Sequence, residues 1–527
     1  MSEPTSLLSR RTLAAFLVGL GLAVAAPSLA QQPQRGAPKN EFRNELKTES
    51  RSEAAREQPG EARRLPADVA TDQTVELAGR TLRFRAVAGS IPINNLEGRL
   101  QAEIAFIAYL QPNAAAGTRP VTFVFNGGPG AASAYMQLGA LGPWRLPLDN
   151  ITPSSPTALV PNQETWLDFT DLVFVDPVST GYSRFINQSD DVRKQFWSVG
   201  GDIEVLATFM RKWIEKNGRQ ASHKFIAGES YGGFRAPKLA AKLYEQGVAV
   251  SRLVMVSPVL DFGWRGNGRQ SPLGWVVRLP SMAAAARETS APFDRDALRE
   301  VERYASGDYL QDLLRGERDA AAVERISTRV AQLIGLDRAL VRRLAGRVDP
   351  GTFARERNRD RGIVSSLYDA TITGIDPNPS SANSQFEDPV LEGTRAPLST
   401  AMTDLYAHVL NWHVEEPYEL LNSSISTRWD WSGARIANQT VDQLRSILAF
   451  DPRLRVLIAH GASDLVTPYF ENQMILDQMP AFAAPDRLTL AVYGGGHMFY
   501  SRDASRRALH DDAERLYRAA EQAPPRG

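Results

Sequence analysis

The sequence predicts an α/β protein: a mostly parallel central sheet flanked by helices, with a helical cap insertion. Three observations carry this expectation. Short continuous apolar runs recur along the chain: "VTFVF" (121–125), "DLVFVDPV" (171–178), "KFIAG" (224–228), "RLVMVSPV" (252–259), "RVLIAHG" (455–461) and "RLTLAVYGGGH" (487–497). Strands buried on both faces read this way, because helices cover both sides of a parallel sheet. Amphipathic segments at 201–218 and 232–247 separate some of these runs and supply such helices. Finally, residues 262–430 lack a strong strand signal and are rich in helical patterns.

In chain order, Ser9-Arg10-Arg11 precedes an apolar run from Leu13 to Ala26, and Ser28-Leu29-Ala30 offers a small-x-small cleavage site. Residues 1–30 therefore read as a signal peptide, the arginine pair suggesting the twin-arginine route. The alternative for the same run is an uncleaved anchor; no other stretch is long and apolar enough to span a bilayer. The expected location is periplasmic or secreted, with no stable membrane insertion after signal removal. Residues 31–68, rich in Gln, Glu, Arg and Pro, form a charged linker that buries too little apolar surface to order itself. The first part of the core spans 69–261, where alternating patterns between Val75 and Leu110 predict antiparallel strands ahead of the parallel ones. The cap insertion spans 262–430: 294–316 and 321–348 read as helices and 372–389 as a long irregular loop. The rest of the core spans 431–527.

The 527 residues include 60 Lys plus Arg, 60 Asp plus Glu and no cysteine. Zero net charge argues against a nucleic-acid partner. The absence of cysteine excludes disulfides, thiolate catalysis and Cys-ligated metals. His408 and His413, followed by Glu415 and Glu416, do not have a standard ligand spacing. No metal or cofactor is expected, and the oligomeric state is open.

The chemistry starts at "FIAGESYGGF" (225–234). Ser230 sits in G-x-S-x-G between a strand and a helix, where a sharp elbow exposes a nucleophilic hydroxyl. A serine needs a base to take its proton. Of six histidines, His223 lies at the wrong end of the strand, His408 and His413 in the insertion, and His460 on a strand. His510 lies in a charged helix. His497, just after the last strand, is the best base. Asp464, beyond "RVLIAHG", is the acid that orients it; Asp176 competes but precedes the serine. The order Ser, Asp, His is that of α/β-hydrolases. The N–H of Tyr231 and the glycine loop at 125–133 would receive an oxyanion. That loop is discounted as a phosphate cradle, since no Lys-Ser/Thr follows it.

These stretches resemble the serine carboxypeptidase family. "NGGPGAAS" (126–133) is similar to its NGGPGCSS, and "NQETWLDFTDLVFVDPVSTGYS" (162–183) to its N-x-x-S-W…D-Q-P-x-G-T-G-F-S segment. "GESYGG" (228–233) is similar to GESYAG, "GASDLVTP" (461–468) to G-D-x-D-x-x-x-P, and "GGGHMF" (494–499) to GAGHMV. The resemblance implies an α/β-hydrolase fold and an enzyme that removes residues from peptide C-termini. By motif it implies a triad of Ser230, Asp464 and His497, oxyanion amides from Gly128 and Tyr231, and a carboxylate site of Asn126, Gly127 and Glu229. An esterase or acyltransferase on the same frame, or a non-catalytic binding protein, are the alternatives.

Two departures stand out. Ala131-Ala132 replaces the family's Cys-Ser. Ala140 in Ala140-Leu141-Gly142-Pro143 stands where the family has a second glutamate in E-x-G-P. Glu229 must be protonated to donate to a substrate carboxylate. Without a partner carboxyl to raise its pKa, Glu229 is expected to ionise at lower pH, so that C-terminal selectivity is weaker than the family norm or rests on another group.

Overall fold

The computed structural model describes residues 64–521 apart from 113–118, 150, 267, 289–291, 382–385 and 483. The signal peptide and residues 31–63 of the linker lie outside the described residues. At the linker's end Leu65 is buried, and its N–H donates to Glu103 Oε2 at 2.8 Å.

Nine strands carry the main sheet: β1 (Val69–Leu77), β2 (Arg80–Asn94), β3 (Leu100–Leu110), β4 (Val121–Phe125), β5 (Asp171–Val175), β6 (Lys224–Glu229), β7 (Arg252–Val256), β8 (Arg455–Gly461) and β9 (Leu488–Tyr493). Their order is β1-β2-β3-β5-β4-β6-β7-β8-β9, and a two-residue strand, Arg184–Phe185, adds to β3. The β1–β2, β2–β3 and β3–β5 pairs are antiparallel, and every later pair is parallel. All six apolar runs form strands of this parallel part. Every residue of β4, β5 and β7 is buried, as a two-sided parallel sheet requires.

Helix α1 (Val199–Lys216) starts at Ser198, whose hydroxyl accepts from Gly201 N at 3.0 Å. Helix α2 (Tyr231–Glu245) starts directly after Ser230. Leu206, Phe209, Met210 and Trp213 of α1, with Phe234 and Leu239 of α2, close one face of the sheet around Ile226 and Met255. The other face packs residues 398–420, including Leu398, Met402, Tyr406 and Trp412, and the C-terminal helix with Leu509 and Tyr517.

In the region read as the insertion, helices α3 (Leu279–Glu288), α4 (Arg295–Tyr304) and α5 (Ala320–Ile334) share a separate cluster with Leu465, Tyr469 and Phe470. One difference from the sequence reading is a small antiparallel pair, Ile363–Ser365 with Thr373–Ile375. It draws three residues of the presumed loop into a ladder too short to show a period-two pattern. No described helix is long and apolar enough to cross a membrane.

Candidate active site

The elbow at Ser230 is imposed by close backbone approach. Ser230 has φ 59° and ψ −119°, a region that costs a residue with a side chain about 1–3 kcal/mol. A Cβ on Gly228 would lie 2.2 Å from Gly232 O, and one on Gly232 would lie 2.4 Å from Phe125 O. The turn is tied down by Ser230 N donating to Val256 O at 2.8 Å and by Gly233 N and Phe234 N donating to Ser230 O. Tyr231 is the first residue of α2, so its N–H has no acceptor four residues back. The glycine loop abuts the elbow: a Cβ on Gly127 would fall 2.7 Å from both Ser230 Cβ and Tyr231 N. Gly128 has φ 100°.

His497 and Asp464 meet from the ends of β9 and β8. His497 Nδ1 donates to Asp464 Oδ2 at 2.7 Å, and Asp464 is fully buried. Asp464 Oδ1 accepts from Val466 N at 2.8 Å and Thr467 N at 2.9 Å, and the Thr467 hydroxyl lies 2.6 Å from Oδ2. Burial pulls the imidazolium down, but the Asp464 charge and hydrogen bond outweigh it and leave the His497 pKa raised. Tyr368 O accepts from His497 N at 2.5 Å, and the Tyr368 ring stands edge-on to the imidazole, 5.3 Å between centroids. Asp369 then ties both loops down, accepting from Ser463 Oγ at 2.8 Å and Gly496 N at 3.1 Å.

Ser230, His497, Tyr231, Asn126, Gly127, Gly128 and Glu229 all line one cavity of about 260 Å³. The structure thus brings the residues singled out in the sequence to a single place, with Asp464 buried behind His497. The competitors sit elsewhere. Asp176 is buried under the glycine loop, accepting from Ser133 N at 2.8 Å and Tyr418 Oη at 3.3 Å, and burial pushes its carboxyl up to about 7. His460 is a core residue that receives Asn472 Nδ2 at 2.7 Å, its pKa pulled down to about 3 by burial. His223 and His413 are exposed, and His408 pairs with Asp404 at 2.8 Å. No group of three or more His, Asp or Glu suited to a metal occurs among the described residues.

Glu229 corrects the expectation drawn from Ala140. It is buried, and burial pushes its pKa up to about 7 against opposing contributions from His497 and from its hydrogen bonds to Tyr500 and Asn126. Asn126 Nδ2 donates to Glu229 Oε2 at 2.5 Å, and Tyr500 Oη donates to the same oxygen at 2.9 Å. Desolvation therefore does what a second carboxyl would do. Ala140 is itself buried in the turn 137–141. Sequence reasoning missed Tyr500, Thr467, Tyr368 and Asp369. Tyr500 lies three residues past His497 and Thr467 three past Asp464, so proximity to the motifs was the one available signal. For Tyr368 and Asp369, inside the insertion, there was none.

The fold is that of the α/β-hydrolases. Within that class one stretch of the chain is similar to the serine carboxypeptidases: the family model described as serine carboxypeptidase matches residues 80–255. That stretch holds the glycine loop and Ser230 but not Asp464 or His497. Serine carboxypeptidase-like 34 of Arabidopsis thaliana is 30% identical over 34% of this chain and 35% of its own length. Pheromone-processing carboxypeptidase KEX1 of Coccidioides posadasii is 28% identical over 40% of this chain and 31% of its own. The chain thus spans about a third of the length of the curated relatives it matches. The solved structure of a Saccharomyces cerevisiae prohormone-processing carboxypeptidase, KEX1(delta)p, superposes with a TM-score of 0.52 at 16% identity, covering 81% of this chain and 90% of that one.

Proposed function

We propose that the protein is an exported serine carboxypeptidase that removes C-terminal residues from peptides through an acyl-enzyme. The observation that carries this is the opening of Ser230, on its strained elbow, into the same cavity as the His497 imidazole, which is paired with buried Asp464. Ser230 Oγ attacks the carbonyl carbon of the last peptide bond while His497 Nε2 takes its proton. The N–H groups of Tyr231 and Gly128 receive the oxyanion. Collapse breaks the C–N bond, and His497 returns the proton to the leaving amine. Water then adds to the acyl-enzyme, and a second proton transfer through His497 frees Ser230. Asp464 holds the imidazole tautomer and stabilises its charged form.

Asn126, Gly127 and protonated Glu229 hold the substrate's terminal carboxylate. The insertion 262–430 contributes Phe262, Arg265, Tyr368, Leu391 and Leu421 to the cavity wall and so shapes side-chain preference. Export removes residues 1–30; mass spectrometry of the mature chain is expected to show Gln31 at its N-terminus, and an intact leader would contradict this.

The decisive test is digestion of a peptide library, read by mass spectrometry, with active-site phosphonate labelling in parallel. Stepwise loss from C-termini supports the proposal. Ester hydrolysis without peptide loss points to the esterase or acyltransferase reading, and no labelling points to a binding protein.

The Glu229 carboxyl sets a pH signature. Only its protonated form donates to a carboxylate, and that form is lost as pH rises through about 7. The preference for a free-acid peptide over its amide is therefore expected to fall across that pH, whereas loss of neutral His497 limits both substrates at low pH. Glu229→Gln should remove the alkaline limb. Tyr500→Phe removes a hydrogen bond that favours the ionised form and should move the limb upward. A free-acid preference constant from pH 5 to 9 in the unaltered protein would refute the assignment.

A further inference from the structure

Two arginines, Arg265 and Arg435, line the cavity that holds Ser230, His497 and Glu229. They differ in how their charge is met. Arg265 Nε lies 2.7 Å from Glu471 Oε2, and its guanidinium also donates to Val466 O. Burial pushes the Glu471 carboxyl up to about 7, with Arg265 opposing. Arg435 has no hydrogen-bond acceptor or carboxylate partner among the described residues. What holds it is aromatic: its guanidinium packs 4.7 Å from the Phe262 centroid and 4.9 Å from that of Trp431. Those two rings are themselves in edge contact, 5.0 Å apart. The segments are laced together by Phe262 N donating to Asn438 O at 3.0 Å. Packing on rings orients a guanidinium without consuming its N–H donors.

The remaining charge on the cavity wall is sparse. Glu229 is the one carboxyl among the lining residues, and Asp464 is buried behind His497. Arg435 is exposed, on the wall of the cavity that also holds Ser230; an oriented cation with free donors there fits a ligand carboxylate, since the fork of N–H groups matches its two oxygens. We infer that Arg435, with Arg265 beside it, binds a carboxylate of the peptide substrate and biases the enzyme toward anionic substrates. This rests on the proposed peptidase activity and adds a second, cationic recognition element, drawn from the C-terminal segment, to the carboxylate site around Glu229. That carboxylate comes either from an acidic side chain next to the cleaved bond or from the chain terminus itself, and the two sources make different predictions.

The test compares the unaltered protein with Arg435→Gln on blocked dipeptides that differ in one charge: Glu against Gln before the cleaved bond, Glu against Gln after it, and free acid against amide. Phosphonate labelling and hydrolysis of a neutral ester are followed in both proteins. The expected result is that Arg435→Gln lowers kcat/KM by about 5- to 10-fold for one charged member of a pair and leaves its neutral counterpart within about 2-fold, as for a charge-assisted contact at a partly solvated site. Loss confined to a Glu/Gln pair identifies a side-chain subsite. Loss confined to free acid over amide identifies terminal recognition. Equal loss across all pairs with labelling intact, or no loss, overturns the inference. Absence of labelling and ester hydrolysis in the unaltered protein would instead defeat the hydrolase reading.

Discussion

Replacing His497 with alanine is expected to lower kcat/KM by about 10⁴-fold or more, with the protein remaining folded. His497 sits on a loop between β9 and the C-terminal helix that is anchored through its backbone, its N–H donating to Tyr368 O and its C=O accepting from Ser257 Oγ at 2.8 Å. Its Nδ1 is committed to Asp464 Oδ2 at 2.7 Å, which leaves Nε2 open for the role the proposed mechanism gives it, taking the Ser230 proton. Without that acceptor the hydroxyl is a poor nucleophile. Ser230→Ala should cost a similar factor, and the double variant little more than either single one, because the residues act as a unit. Asp464→Asn keeps the shape but offers an amide where a carboxylate accepted, and a loss of about 10⁴-fold in kcat is expected from the wrong imidazole tautomer. Steady-state rates on one ester and one peptide, with circular dichroism as a folding control, provide the check. Activity of folded His497→Ala within tenfold of the unaltered protein would remove His497 as the base.

Gly228→Ala is expected to abolish the elbow, with loss of soluble protein or destabilisation of more than about 3 kcal/mol, at the far end of single-substitution effects. The added Cβ would sit 2.2 Å from Gly232 O and 2.4 Å from Gly232 C. Both are backbone atoms at the start of α2, so relief requires moving a helix whose Phe234 and Leu239 are wholly buried. Gly200→Ala is the control: Gly200 lies in the first turn of α1 rather than in a strand, a Cβ there meets nothing within 4 Å, and alanine is the better helix former by roughly 1 kcal/mol. Urea unfolding of the two variants should separate them sharply. A Gly228→Ala protein as stable as the parent would show that the elbow tolerates relaxation and that its strain is not built in.

Much of this site was legible in the chain because the features involved are local. A strand buried on both faces must be apolar along its whole length, so "VTFVF" and "RLVMV" were readable without coordinates. The elbow needs glycine on both sides of Ser230 for reasons of contact distance, and glycine is visible in any sequence. His497 and Asp464 follow strand runs directly, where parallel topology delivers loops to one rim.

What was not legible depends on distant parts of the chain meeting. The ionisation of Glu229 was misjudged from the missing partner at Ala140, because a carboxyl's pKa also answers to burial, and burial is a property of the assembled fold. Tyr500, 271 residues from Glu229, and Asp369, 127 residues from Gly496, brace the site through contacts that no periodicity encodes. The pairing of 363–365 with 373–375 was hidden for a related reason: three residues carry no pattern, and the ladder exists because folding brings its two halves together.

The sequence by itself determined the strand set, the strained turn and the types of residue available for acid, base and nucleophile, since these follow from nearest-neighbour sterics and hydrophobic periodicity. Only the tertiary structure decided which carboxyl faces His497, how far Glu229 is lifted, and that Arg435 lies on aromatic rings beside the cavity. Those outcomes depend on desolvation and on contacts across hundreds of residues, quantities that exist only once the chain has closed on itself.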